Sequence, residues 1–147
     1  MSERCVFCEI VGSEAPAAIV LDREDVIAFM DAHPVNPGHI LVIPKRHAAN
    51  LSELDPEDGG SMFRAAMEVA SGLRRSEIRT DGINLVLADG SAAGQEIYHV
   101  HLHVIPRFPG DNFSMSSRTR ERPGLDALDS LARSISMEID TAPVSPD

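Results

Sequence analysis

The apolar and polar positions of the chain change period several times. A short helical turn is expected around Phe7 to Val11, followed by a loop that Pro16 ends. Ala18 to Leu21 and Val26 to Phe29 are apolar runs flanking the polar stretch Asp22-Arg23-Glu24-Asp25, which predicts a β-hairpin. Residues 31 to 38, "DAHPVNPG", are dense in turn formers and predict a loop. "HILVIP", His39 to Pro44, is a continuous apolar run, as expected of a central strand covered on both faces.

The period then lengthens. Asp55 supplies a helix cap, Pro56 suits the first helical position, and Glu57 and Asp58 place acids at the positive end of the helix dipole. Met62, Phe63, Ala66, Val69, Ala70 and Leu73 recur at helical spacing, so this helix lays one stripe on a sheet and fades near Arg79. Ile83 to Leu87 reads as a buried strand, "ADGSAAGQ" (88 to 95) as a small-residue loop, and Ile97 to Ile105 as a strand closed by Pro106. Arg107 to Pro123 predicts an ordered loop or a partner-contacting arm. Leu125 to Ile139 alternates at helical period, and the last eight residues are expected to fray. The order hairpin, strand, helix, strand, strand predicts an α+β fold with helices on one sheet face.

At 147 residues the chain suits one domain with a substantial core. A composition 43% hydrophobic and 24% charged fits a globular protein. The net charge of −10 argues against general nucleic-acid binding, which needs a basic face, but leaves room for a local basic pocket. "MSERCVFCEI" lacks a charged segment leading into an apolar one, and no apolar run is long enough to span a membrane. A cytoplasmic protein without membrane contact is therefore expected. The only cysteines, Cys5 and Cys8, have a spacing that points to metal or redox chemistry before a disulfide.

"YHVHLHV", residues 98 to 104, carries the chemistry. On a strand, His99, His101 and His103 share one face, while Val100, Leu102 and Val104 share the other and must be core. Two readings survive. The histidines could converge on a catalytic metal, or His101 could be a nucleophile with one ring nitrogen free and the other held by a neighbour. The preceding loop, with Gly90 and Gly94, exposes backbone N–H groups that can cradle a phosphate, and Gln95 would add an amide donor at its rim. That placement favours attack on phosphorus.

"GQEIYHVHLHVIPR", with "CVFCEIV", "FMDAHPVNPGHILVIPKRH" and "DGSAAGQ" upstream in order and spacing, resembles the histidine triad (HIT) family. The resemblance implies a HIT-like five-stranded antiparallel sheet with one long helix and a C-terminal helix. It also implies a HIT domain over residues 5–108, with 109–147 an arm and helix packed on the same domain. The expected partners are a nucleotide, with a purine base, and a second copy of the chain whose sheet joins this one.

By the same resemblance, His101 attacks the α-phosphorus of a phosphoramidate, dinucleoside polyphosphate or related adenylate, and water then releases a nucleoside monophosphate. His103 contacts the phosphate or assists proton transfer, and His99 orients the strand. Asp31 aligns with a ribose-binding position, although by itself it reads as a turn aspartate. Phe7, Ile10, Ile27 and Phe29 resemble the slot for the base, and Gly94, Gln95 and Glu96 flank the phosphate. Two departures stand out: Ala88 where many relatives carry Asn or Gln, and Glu96 where Ser or Thr is common. They keep open a nucleotide-binding regulatory module with little turnover. Relatives with the paired cysteines also imply structural zinc on Cys5, Cys8, His47 and His99, not needed for the chemistry itself. His33 and His39 are expected to be structural, with His39 placed to hydrogen-bond across its strand.

Overall fold

The computed structural model describes residues 4–115 and 121–140. Its elements are α1 (Val6–Val11), β1 (Ile19–Asp22), β2 (Val26–Met30), β3 (Ile40–Pro44), α2 (Pro56–Arg75), β4 (Gly82–Val86), a single 3₁₀ turn (Ser91–Ala93), β5 (Leu102–Arg107) and α3 (Leu125–Asp140). The five strands form one antiparallel sheet in the order β1-β2-β3-β5-β4, the expected α+β arrangement. Among the described residues no helix is long and apolar enough to cross a membrane.

Strand alternation sorts the core into two layers. Val26, Ala28, Met30, Ile40, Val42 and Val104 face α2 and α3, while Ile27, Phe29, Leu41 and Ile43 pack on Phe7 of α1. The central strands β2 and β3 are buried throughout, which is why they read as unbroken apolar runs.

Three boundaries differ from the sequence expectation, and three placements do as well: β4, expected to be buried, exposes Asn84 and Leu85; Phe63 faces outward from α2 instead of joining its buried stripe; and α1 packs on the sheet face opposite the other helices. Helix α2 starts as predicted, with the Asp55 carboxylate accepting from the Glu57 N–H at 2.8 Å, but it ends at Arg75 rather than near Arg79. The Ser76 hydroxyl donates to the Leu73 carbonyl at 2.7 Å and accepts from the Ile78 N–H, which turns the chain out of the helix. Strand β5 starts at Leu102 rather than Ile97. The segment before it runs along the loop after β3, where the Val100 N–H donates to the Ala48 carbonyl at 2.8 Å. Pro106 lies inside β5 instead of closing it. The pairing of β5 with β3 ends at Val104, so no ladder acceptor is left waiting for the N–H that proline lacks.

The start of the arm after β5 is fixed by side-chain hydrogen bonds. Arg107 donates two hydrogen bonds to the Asp111 carboxylate, at 2.6 and 2.9 Å, and Asn36 donates to the same carboxylate at 2.8 Å. The expectation for the rest of the arm falls partly, and that for the C-terminal tail almost wholly, outside the described residues.

The two helices meet where Gly72 faces Ile135 and Ile139. A Cβ at position 72 would stand 2.7 Å from Ile139 Cγ1 and 3.1 Å from the Ile135 carbonyl oxygen. Gly72→Ala should therefore destabilise the fold by about 1–3 kcal/mol through overpacking, despite alanine's better helix propensity. Urea unfolding at matched pH measures this, and a stabilised variant would show that α3 yields freely.

Candidate active site and metal centre

His103 pairs with Leu41 in the register of β5 on β3, so it lies on the sheet face of Phe29 and Leu41. His101 and His103 open from this face into one cavity, while Val100 and Val104 are fully covered on the opposite side, as the alternation predicts. The three imidazoles do not converge. His99 belongs to a different neighbourhood, which removes the reading of one metal held by His99, His101 and His103.

Each ring is oriented by a specific hydrogen bond. His101 Nδ1 lies 2.8 Å from the His99 carbonyl oxygen, which can only accept, so Nδ1 carries the hydrogen and Nε2 keeps a free lone pair. Burial pushes the His101 pKa down, against smaller upward effects of that backbone hydrogen bond and of Asp31. The ring is thereby kept neutral near pH 7.

His103 is oriented from a second strand. The Val35 N–H donates to His39 Nδ1 at 3.0 Å, so the hydrogen of neutral His39 is on Nε2, which stands 2.9 Å from His103 Nδ1. His103 therefore accepts at Nδ1 and carries its own hydrogen on Nε2. Asp31, His39 and His103 also place three ligand-type atoms close together. With Nδ1 of His39 already accepting, its Nε2 is a donor to His103 rather than a metal ligand. His39 makes the hydrogen bond across its strand that is expected of it, with His103 as the partner, and its signal in the sequence is a polar residue heading a wholly apolar strand.

The cavity has a volume of about 590 Å³, within the range of small-molecule sites. Phe7, Ile10, Phe29, Asp31, Gly94 and Glu96 line it together with both histidines. Phe7 meets Phe29 edge-on at 5.5 Å and His101 at 5.2 Å between ring centroids, which holds the apolar wall against the reactive ring. Asp31 is buried at its edge. One oxygen accepts from the His33 N–H at 2.8 Å, which is the turn role, and the other lies 3.4 Å from His39 Nε2.

Two expected cavity residues are placed elsewhere. Ile27 shares the sheet face of Phe29 but lies two residues away along β2, in the core layer with Phe7, Leu41 and Ile43, and does not line the cavity. Gln95 is buried and does not line the cavity: it accepts from the Gly90 N–H at 2.8 Å and donates to the Ala49 and Ile97 carbonyls. Its amide pins the glycine loop to the chain after β3 instead of standing at the rim. Gly90 and Gly94 both adopt positive φ, near +95° and +94°, a conformation side chains resist. Ala88 lines the cavity without a polar side chain, and Asn84 cannot replace it, since its oxygen accepts from Arg107 at 2.6 Å.

His99 faces the two cysteines. Its Nε2 donates to the Pro44 carbonyl at 2.8 Å, so the Nδ1 lone pair points at Cys5 Sγ (3.4 Å), Cys8 Sγ (3.6 Å) and His47 Nδ1 (3.2 Å), while Cys8 Sγ and His47 Nδ1 are 3.4 Å apart. A tetrahedral zinc with bonds of about 2.3 Å to sulfur and about 2.05 Å to nitrogen separates S from N by about 3.5 Å and N from N by about 3.3 Å. The four donors match that figure. The Cys8 N–H also donates to Cys5 Sγ at 3.4 Å, a contact that favours a thiolate. In the metal-free protein, burial first, then the hydrogen bond and charge of Cys5, push the Cys8 thiol up to about 11. A bound cation would reverse that and release the proton.

The family model for the HIT domain matches residues 12–110. The chain belongs to the HIT family. It is 39% identical over 119 residues to Protein hit of Bacillus subtilis, covering 80% of this chain and 81% of that one. Among solved structures it is similar to a zinc-bound histidine triad family protein from Mycobacterium smegmatis, with 37% identity, a TM-score of 0.84 and coverage of 95% of this chain and 97% of that one. A HIT family hydrolase from Legionella pneumophila matches at 30% identity and a TM-score of 0.61, over 77% of this chain and 96% of that one. These HIT structures share the α+β fold described above.

Proposed function

We propose that this HIT protein is a nucleoside-phosphate hydrolase that works through a covalent nucleotidyl-His101 intermediate. One observation carries the reading: His101 Nδ1–H is held on the His99 carbonyl, which leaves Nε2 as a neutral nucleophile in a cavity of nucleotide size. The similarity to the Legionella hydrolase supports the same class of chemistry.

In this reading the base, expected to be a purine, lies against Phe7, Ile10 and Phe29, and the ribose hydroxyls donate to Asp31. The α-phosphate meets the N–H groups around Gly94 and the Nε2–H of His103. His101 Nε2 forms a bond to phosphorus as the bond to the leaving group breaks, and the leaving group takes a proton from solvent. Water then attacks phosphorus and the electron pair returns to Nε2. The net change is addition of water across the bond from phosphorus to the leaving group, which yields a nucleoside monophosphate. Release of AMP from an adenosine phosphoramidate by the wild-type protein, but not by His101→Asn, tests the reading; equal rates refute it. Ala88 supports a second reading, a nucleotide-binding regulatory module, because it removes a polar contact near His101. Tight binding without turnover would select it.

We further propose that Cys5, Cys8, His47 and His99 hold a structural zinc. His99 then anchors the strand rather than taking part in catalysis, and the Cys₂His₂ set leaves no open coordination position. A homodimer is proposed from the free edge of β4, where Leu85 is exposed, together with exposed Phe63 and Met67 on α2. Sedimentation should give twice the 15.9 kDa chain mass, and the single-chain mass would refute the dimer.

A further inference from the structure

The two cysteines that face His99 enclose two residues of the cavity. Cys5 caps α1 and Cys8 lies in its first turn; between them stand Val6 and Phe7, which both line the cavity. Phe7 is buried against the histidines, its ring centroid 5.8 Å from that of His99 and 5.2 Å from that of His101. Whatever fixes the first turn of α1 therefore also fixes the apolar wall beside the reactive ring. The two sulfurs and the ring nitrogens of His47 and His99 all lie within 4.8 Å of one another; both cysteines are half-buried, and His47 is exposed to solvent.

Residues three apart at a helix start have Cα atoms about 5–5.5 Å apart, inside the range that a disulfide spans. The same sulfurs can serve a zinc ion as thiolates or pair with each other, but not both. In a Cys₂His₂ set the thiolates supply all the negative charge, so their pairing would leave two neutral imidazoles as the only donors. We infer that Cys5 and Cys8 form a redox switch on the cavity: a peroxide converts the zinc-bound thiolates to a disulfide, zinc leaves, and the wall carried by Val6 and Phe7 loses its hold on His101. In the first step one thiolate attacks a peroxide oxygen, the O–O bond breaks, and the departing hydroxide takes a proton to become water. The second thiolate then attacks the resulting sulfenic acid, the S–S bond forms, and a second hydroxide leaves and is protonated to water. The sulfur pair gives up two electrons, the peroxide takes them, and zinc departs as the unchanged divalent ion. A dithiol reverses the oxidation by exchange. The inference rests on the zinc and hydrolase readings and adds regulation to them.

The zinc-loaded full chain, titrated with hydrogen peroxide, tests it. Three quantities are followed: zinc captured by a chromogenic chelator, free thiols, and hydrolysis of an adenosine phosphoramidate. Zinc release should track the loss of both thiols, and turnover should fall in step by about tenfold to a hundredfold, the scale of a small misplacement of reacting groups. Dithiothreitol with added zinc should restore all three. That reversal separates the cysteines from Met30 and Met115, which also line the cavity and whose sulfoxides need a dedicated reductase. Zinc kept with both thiols intact, zinc lost with turnover unchanged, or turnover that the dithiol does not restore overturns the switch and leaves both earlier readings standing. A reduced protein that takes up no zinc removes the zinc reading and the switch together. A zinc-loaded protein without turnover removes the hydrolase reading and, with it, the switch.

Discussion

His101→Asn should lose at least about 10³-fold in kcat/KM for nucleoside monophosphate release while keeping its fold, because removing a covalent nucleophile leaves only binding and electrostatic assistance. Asparagine fills part of the space beside Phe7 and can still donate to the His99 carbonyl, so its effect should be read as lost chemistry rather than lost packing. Nucleotide affinity, measured by calorimetry, should change by less than about tenfold, since the proposed base and ribose contacts do not involve His101. A variant within tenfold of wild-type turnover would mean that His101 does not attack. His101→Gly supplies an independent check: added imidazole should restore part of the rate if the missing ring was the nucleophile.

Replacing both Cys5 and Cys8 with Ser should abolish zinc binding and lower stability by about 3–5 kcal/mol in zinc-saturated buffer, as expected for loss of a ligand held well above its dissociation constant. The metal content of the purified protein and a denaturant curve measure the two effects together. Acid should favour metal loss, because thiols and imidazoles ligate only when deprotonated. Turnover should weaken as well, but through positioning: the His99 carbonyl orients His101, and the Ala48 carbonyl beside His47 holds Val100. Zinc retained by the double variant would move the metal to another site. A wild-type protein that takes up no zinc at all would remove it.

The parts of this site that were legible in the sequence are those governed by local rules. Strict alternation of His99, Val100, His101, Leu102, His103 and Val104 assigns the two faces even though the first three of these residues lie outside the strand proper. The cap at Asp55 and the proline after it place the start of α2. What escaped depends on contacts between segments far apart in the chain. The sequence places Gln95 at the phosphate rim, yet carbonyls that only the fold brings near it take up its amide. The family resemblance implies Ile27 in the base slot, but only packing separates the residues that line it from the layer beneath. A hydrogen bond from His39 across its strand is expected from the sequence, but its partner, His103, follows only from the register between β3 and β5, which no local pattern encodes.

The central claim, a covalent nucleotidyl-histidine, is tested most directly by the stereochemical course at phosphorus. The substrate is an adenosine phosphorothioate chiral at the α-phosphorus, hydrolysed in isotopically labelled water. Two successive in-line displacements, first by His101 and then by water, predict overall retention of configuration. Inversion would mean that water attacks phosphorus in a single step, and would contradict the account.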